Sequence, residues 1–236
     1  MCFSATASFV AATALVPVGL ACVQQTLRSA SWRTLPLACM PLLFAAQQAI
    51  EGVVWLSLGG VVPHGVLQGA TLLYLGFAFA LWPMWLPWCC LALLPPDVPP
   101  SHRWTLRGLL FAGVLLAAAL WLPLLQHPAL VQPVIRHGSI AYHMPFPLLG
   151  YGGLSLANVV YVLIICVPLL LTGVAGLRWF SLSIAAAFVL AHLAYSYAFS
   201  SVWCYFSALL SLMLFWILRE RSLAQAIPFP SVMVRS

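Results

Sequence analysis

The chain has very few charged residues. Lysine is absent, and the 236 residues include only nine arginines and three acidic side chains, together 5% of the chain. A soluble domain carries about 25% charged residues, so a soluble globular protein is excluded. Hydrophobic residues make up 64% of the sequence, and the mean hydropathy is +1.07. These values predict an integral membrane protein, with a single transmembrane domain over residues 1–221 and a cytoplasmic tail over 222–236.

Three further patterns are missing. The seven cysteines include no Cys-x-x-Cys pair, so a zinc finger is not predicted. No internal repeat of the kind that marks many transporters is found. No basic residue precedes the first apolar run, since the first arginine is Arg28, and a secretory signal peptide is therefore not expected. The net charge of +6 comes mostly from short loops, where arginines orient membrane helices, so we expect no nucleic-acid partner.

Long apolar runs fill most of the sequence. A membrane-spanning helix needs about 20 mostly apolar residues, and seven runs meet this requirement. We predict an all-α polytopic bundle of about seven transmembrane helices, at roughly 6–25, 36–58, 66–94, 106–125, 154–175, 179–197 and 200–218.

One long connection separates the fourth and fifth predicted helices, at roughly 126–153. Inside it, two short extended runs between Val134 and Tyr142 flank His137-Gly138. Two such runs around a turn that contains glycine predict a short β-hairpin.

The arginines are distributed unevenly among the predicted loops. If the N-terminus lies outside, only Arg136 is outside and the other eight arginines are cytoplasmic. This bias predicts an N-out, C-in topology, with the hairpin on the outer side.

One carboxylate lies inside a predicted membrane helix. Glu51 has no arginine nearby in sequence, and a charge at membrane depth costs roughly 2.5 to 3.5 kcal/mol or more, so it marks a functional site by default. Gln47 and Gln48 lie four and three residues before it, so all three side chains can share one helix face. The alternative is a protonated glutamic acid that only forms hydrogen bonds to neighbouring helices.

The predicted topology collects metal-ligand residue types at the outer end of the bundle. The candidate ligands are Cys2, His143, His192 and Cys204, and Glu51 is the candidate general base. Cysteine, histidine and glutamate bind zinc, and cysteine with histidine also suits copper or haem iron. A site with an open position would activate a bound water molecule. This hypothesis predicts a hydrolase or a redox enzyme.

Two other hypotheses use the same residues. In the first, the protein is a receptor or small carrier, and its ligand pocket is lined by Gln47, Gln48, Glu51 and Trp203. Its partners are then the lipid bilayer and a small-molecule or lipid ligand. Trp203 could equally belong to an interfacial aromatic belt. Cys2 and Cys204 would instead form a disulfide in a structural subunit, because thiols on an oxidising side tend to pair. That bond would exclude metal ligation by those thiols. His192 could equally have a packing role.

Three segments carry a family resemblance: Met1 to Phe9 (MCFSATASF), Pro41 to Trp55, and Ser201 to Phe206. Together they resemble a family of bacterial multipass membrane proteins of unknown function that begin Met-Cys-Phe-Ser-Ala. The resemblance covers most of the chain. It implies a membrane domain and no particular activity.

Overall fold

The chain folds into helices and one β-hairpin. The computed structural model describes residues 4–29, 31–94, 98–144 and 156–226, apart from the side chains of residues 64 and 221–226. The helices in these residues are α1 (Ala5–Arg28), α2 (Leu35–Ala38), α3 (Met40–Leu58), α4 (His64–Gly76), α5 (Trp82–Leu93), α6 (Pro100–Gln126), α7 (Leu156–Leu171), α8 (Ala175–Tyr195), α9 (Phe199–Leu210) and α10 (Met213–Ala226). The strands are β1 (Gln132–Arg136) and β2 (Ser139–His143).

Among the described residues, five stretches are long and apolar enough to cross a bilayer: Ala5–Arg28, Trp32–Leu58, Gly65–Leu93, Pro100–Gln126 and Ala175–Glu220. The last has 46 residues, more than twice the length that one crossing needs. Its two halves contact each other, because Trp203 donates to the Ile184 carbonyl at 3.3 Å and Gly176 lies against Ile217. α7 is a shorter apolar helix. The fold is therefore a mostly helical membrane domain, and the seven-span count and the orientation stay predictions.

α1 and α3 run in opposite directions. On α1 and α3, Gly52 lies against Phe9 and Gly19 against Leu42, so the numbers rise on one helix as they fall on the other. Gly113 on α6 lies against the Pro83 carbonyl of α5. Small residues at these points let membrane helices approach closely. The glycines therefore fix how α1 packs on α3 and how α6 packs on α5.

Prolines and caps explain where the helices begin and break. Ser4 accepts a hydrogen bond from the Ala7 amide at 3.2 Å and caps α1. Pro41 interrupts the second predicted helix, since proline cannot donate within a helix, and α2 and α3 result. The fourth predicted helix begins six residues earlier than expected, at Pro100, because proline suits the first helical turn. α10 continues past Arg221 to Ala226, beyond the predicted end at 218.

The third predicted helix contains a π-helical turn at Phe77–Leu81, where the Trp82 amide donates to the Phe77 carbonyl. Pro83 follows and has no amide hydrogen. The Ala78 carbonyl thus loses its helical donors, and the Tyr161 hydroxyl of α7 donates to it instead. A local irregularity in α4–α5 therefore becomes a contact between helices.

The predicted β-hairpin is confirmed. β1 and β2 pair antiparallel, with Arg136 opposite Ser139. His137 and Gly138 both have positive φ, 45° and 73°, as a two-residue type I′ turn requires. The His137 ring contacts Tyr197 edge-on at 5.3 Å, so the hairpin packs against the connection between α8 and α9.

Candidate functional site

Three adjacent polar side chains of α3 point into the protein. Gln47 and Gln48 are 0% exposed and Glu51 is 1% exposed. Their spacing places them on one helix face, and that face is turned away from the surroundings. The predicted polar face of this helix is therefore an interior one.

The Glu51 carboxyl group is held by residues from other helices. The Ser201 hydroxyl of α9 donates to Glu51 Oε1 at 2.5 Å. Tyr74 of α4 and Gln48 are also close enough to interact with the carboxyl group. On the next residue, Gly52, an added Cβ would meet the Phe9 ring at 2.7 Å. α1 therefore packs against α3 at the residue next to Glu51.

Gln47 is fixed by a tryptophan of α5. Trp82 Nε1 donates to Gln47 Oε1 at 2.8 Å, and the Trp82 ring stacks on Phe44 with 3.9 Å between centroids. Because an indole nitrogen only donates, the bond fixes which end of the amide faces Trp82. The amide oxygen therefore faces Trp82. The remaining amide atom, the donor Nε2 of Gln47, has no hydrogen-bond partner among the described residues.

Further unpaired polar atoms lie close by. Neither Gln48 Nε2 nor Gln48 Oε1 has a hydrogen-bond partner among the described residues, and the same holds for the buried Tyr142 hydroxyl. The Tyr142 ring stacks on Tyr74 at 5.0 Å between centroids, and the Tyr74 hydroxyl donates to the Ser200 carbonyl at 3.3 Å. Burial raises the pKa of the Tyr142 hydroxyl well above its ordinary value, so this group is neutral and able to donate.

We call this group of side chains the polar cluster. Its members are Gln47, Gln48, Glu51, Tyr74, Trp82, Tyr142, Ser201 and Cys204. The Cys204 thiol is buried, forms no disulfide with another described cysteine, and interacts with Tyr74, Glu51 and Gln47. The cluster contains no basic side chain, and it joins α3, α4, α5, α9 and β2.

The described members of the predicted ligand set, His143, His192 and Cys204, do not form a metal site with other described residues. His192 stacks on Phe188 at 6.2 Å and contacts Phe199 edge-on at 6.0 Å, while His143 ends β2 opposite Gln132. Among the described residues, no three His, Cys, Asp or Glu side chains form a group that could hold a metal. Cys2 lies outside the described residues, so metal or haem binding and the Cys2–Cys204 disulfide both stay predictions.

Trp203, predicted to line the ligand pocket, lies beside the polar cluster. It is 6% exposed, and its ring packs edge-on against Tyr161 at 5.3 Å and Phe188 at 5.2 Å. Trp203 is thus an interior residue and not a residue of an interfacial belt.

Sequence reasoning missed several cluster members. Tyr74, Trp82 and Tyr142 are not among the predicted site residues, and Ser201 enters the sequence analysis only as the start of a segment that carries the family resemblance. The available signal was a hydroxyl or indole group inside a run that is otherwise apolar, as at Tyr74 within Thr71–Phe79. Such a group needs a buried partner, and Glu51 is the one acid in the predicted helices.

A protein-family model matches most of the chain. The model of DUF6629, described as a family of unknown function, matches residues 1–228. No curated protein and no solved structure matches the chain.

Proposed function

The chain belongs to DUF6629, which agrees with the resemblance found at its Met-Cys-Phe-Ser-Ala start, and on that premise we propose that the protein is a membrane receptor or small carrier. Its polar cluster binds a small uncharged ligand through hydrogen bonds. We also propose that it lies in the bacterial inner membrane with its N-terminus outside, as the arginine bias favours.

The observation that carries the proposal is the state of Gln48. Its side chain is 0% exposed and lies within reach of the Glu51 carboxyl group, yet neither of its amide atoms makes a well-formed hydrogen bond with a described residue. An unpaired buried polar group costs about 1 to 3 kcal/mol, and native proteins contain few of them. Gln47 Nε2 and the Tyr142 hydroxyl add two more unpaired atoms in the same cluster. A ligand that pairs with these atoms would account for their burial.

Two neighbouring glutamines allow a direct test. We expect Gln48→Leu to raise the melting temperature of the detergent-purified protein, because it removes two unpaired polar atoms. We expect Gln47→Leu to lower it, because Trp82 Nε1 then loses its acceptor. The same substitution at adjacent buried positions should thus have opposite effects. If Gln48→Leu destabilises the protein as much as Gln47→Leu, Gln48 is a structural residue and the proposal fails.

Ligand binding is measured with the same variants. A library of small uncharged amides, ketones and alcohols is screened for compounds that raise the melting temperature, since a ligand of the native state stabilises it by mass action. We expect a hit to stabilise the wild type and Glu220→Gln, which changes an exposed acid, and to lose its effect in Gln48→Leu. A compound that stabilises all variants equally binds elsewhere.

The metal- or haem-centred enzyme remains a second proposal, supported by the buried Cys204 thiol beside Glu51. Elemental analysis and an absorption spectrum of the same preparation test it, with Cys204→Ser as the informative variant. Near-stoichiometric metal or haem that is lost in this variant would favour the enzyme over the receptor.

A further inference from the structure

Two apolar pockets adjoin the polar cluster. One lies between the π-helical turn and α7, α8 and α9 and is partly open to the outside. The other lies between α3, α5, α7, α8 and α9. Tyr161, Trp203 and Cys204 line both pockets. The two spaces are therefore neighbours that share one wall.

The same wall connects the pockets to the cluster. Cys204 interacts with Tyr74 and Gln47 of the cluster. Trp82 lines the second pocket and donates to Gln47. A molecule with its polar end at Gln47 and Gln48 would therefore place its remaining atoms in apolar surroundings.

Aromatic rings form most of the first pocket. Phe188, Phe199 and Trp203 pack against one another with centroids 5.2 to 5.4 Å apart, and Phe79 and Tyr161 complete the wall. Ligand pockets typically combine such walls with a few placed polar groups. Since α8 and α9 belong to an apolar stretch long enough to span a membrane, a bilayer-soluble molecule could reach this opening.

The unpaired atoms of the cluster restrict the polar end of the ligand. Gln47 Nε2, Gln48 Nε2 and the Tyr142 hydroxyl are donors, whereas Gln48 Oε1 is the unpaired acceptor. This excess of donors fits a head group with carbonyl or ether oxygens. An ionised head would be buried without a basic side chain in the cluster, and such burial is costly.

We infer that the ligand is an uncharged, bilayer-soluble molecule whose carbonyl head pairs with Gln47, Gln48 and Tyr142 and whose apolar part occupies the aromatic pocket beside Trp203. This inference rests on the proposed function and specifies the class of ligand. Substituted quinones with an alkyl chain have this chemistry and serve as the probe.

The test measures probe binding to the full chain in phosphatidylcholine nanodiscs, by quenching of tryptophan fluorescence. The probe is a fully substituted benzoquinone with a decyl chain. Tetramethylbenzoquinone supplies the head without the chain, decane supplies the chain without the head, and decyl sulfate supplies a charged head. We expect saturable binding of the decyl quinone, at least tenfold weaker binding of tetramethylbenzoquinone, and no displacement by decane or decyl sulfate.

Two matched substitutions test the aromatic pocket. Ser200 lines it, so Ser200→Leu fills the space without changing a side chain of the cluster. Ser196 is exposed in the preceding turn, so Ser196→Leu is the control. We expect Ser200→Leu to weaken binding of the decyl quinone at least tenfold and to leave the melting temperature near that of Ser196→Leu.

The outcomes separate this inference from the proposed function. The receptor proposal stands if small uncharged compounds bind and Gln48→Leu abolishes their effect. The inference nevertheless fails if the decyl quinone binds no tighter than its short analogue and Ser200→Leu leaves the affinity for the decyl quinone unchanged. Failure of the decyl quinone to bind also overturns the inference. If, in addition, Gln48→Leu destabilises like Gln47→Leu, both are overturned.

Discussion

The Trp82–Gln47 pair shows how one hydrogen bond at the residue scale can be isolated. Trp82→Phe retains an aromatic ring for Phe44 to stack on but leaves Gln47 with neither amide atom paired. We expect it to lower the free energy of unfolding by about 1 to 3 kcal/mol. Replacing both partners by apolar groups can be nearly neutral, so Trp82→Phe with Gln47→Leu should recover most of this loss.

A double-mutant cycle, measured by reversible denaturation in detergent, gives the coupling energy of the Trp82–Gln47 pair. We expect a coupling of about 0.5 to 3 kcal/mol. Additive effects of the two substitutions would show that the hydrogen bond contributes nothing to stability.

Prediction from sequence succeeded at this scale wherever the signal was local. Gln47, Gln48 and Glu51 share a face because of their spacing within one helix, and His137-Gly138 gave the hairpin because of local turn chemistry. Ser201 is 150 residues from Glu51, and no local pattern links the two. The partners of the acid therefore emerged only from the packing of α9 against α3.

At the scale of single elements, the contact between α5 and α6 depends on a glycine. A Cβ at Gly113 would collide with the Pro83 carbonyl, a backbone atom that cannot rotate away. We expect Gly113→Ala to lower the free energy of unfolding by about 1 to 3 kcal/mol through overpacking. Gly108 is on the same helix, exposed, with nothing within 4 Å of an added Cβ.

Gly108→Ala is therefore the matched control, and it should be neutral or raise the free energy of unfolding by up to about 1 kcal/mol through helix propensity. Thermal unfolding of the two variants side by side measures the difference. Equal stability of the two would mean that α6 does not approach Pro83 as closely as described.

The π-helical turn gives a second prediction for an element. Tyr161→Phe removes the donor to the Ala78 carbonyl, and we expect a loss of about 1 to 3 kcal/mol in the free energy of unfolding. Pro83→Ala restores a backbone donor in this turn, so Tyr161→Phe should cost less in that background. An unchanged cost in both backgrounds would show that the carbonyl is not the reason for the tyrosine.

At the scale of the whole molecule, the orientation of the protein in the membrane can be measured. Its Arg bias predicts that the hairpin and the start of α6 lie on opposite sides of the membrane. Ile135 is 48% exposed on β1, and Ser101 is exposed at the start of α6. In a cysteine-free background, we expect Ile135→Cys to react with a membrane-impermeant maleimide on spheroplasts and Ser101→Cys to react only after lysis. The reverse pattern would invert the predicted orientation.

Helix number was harder to predict than membrane character. Composition alone indicates a membrane protein, because 5% charge excludes a soluble surface. The position of each helix end depends on prolines, on the π-helical turn and on the change of chain direction between α8 and α9. A hydropathy profile does not detect these features. The apolar run over Ala175–Glu220 reads as one stretch, although its halves pack against each other.

The bond between Ser201 and Glu51 also constrains how the protein is made. At about 5 to 20 residues per second, the ribosome needs roughly 8 to 30 seconds to pass from Glu51 to Ser201, which is 150 residues later. Trp82 of α5 is made early in that interval, but the Glu51 carboxyl group lacks its partner from α9 until the interval ends. We therefore expect the nascent chain to keep the polar face of α3 away from lipid, beside the insertion machinery, until α9 is synthesised.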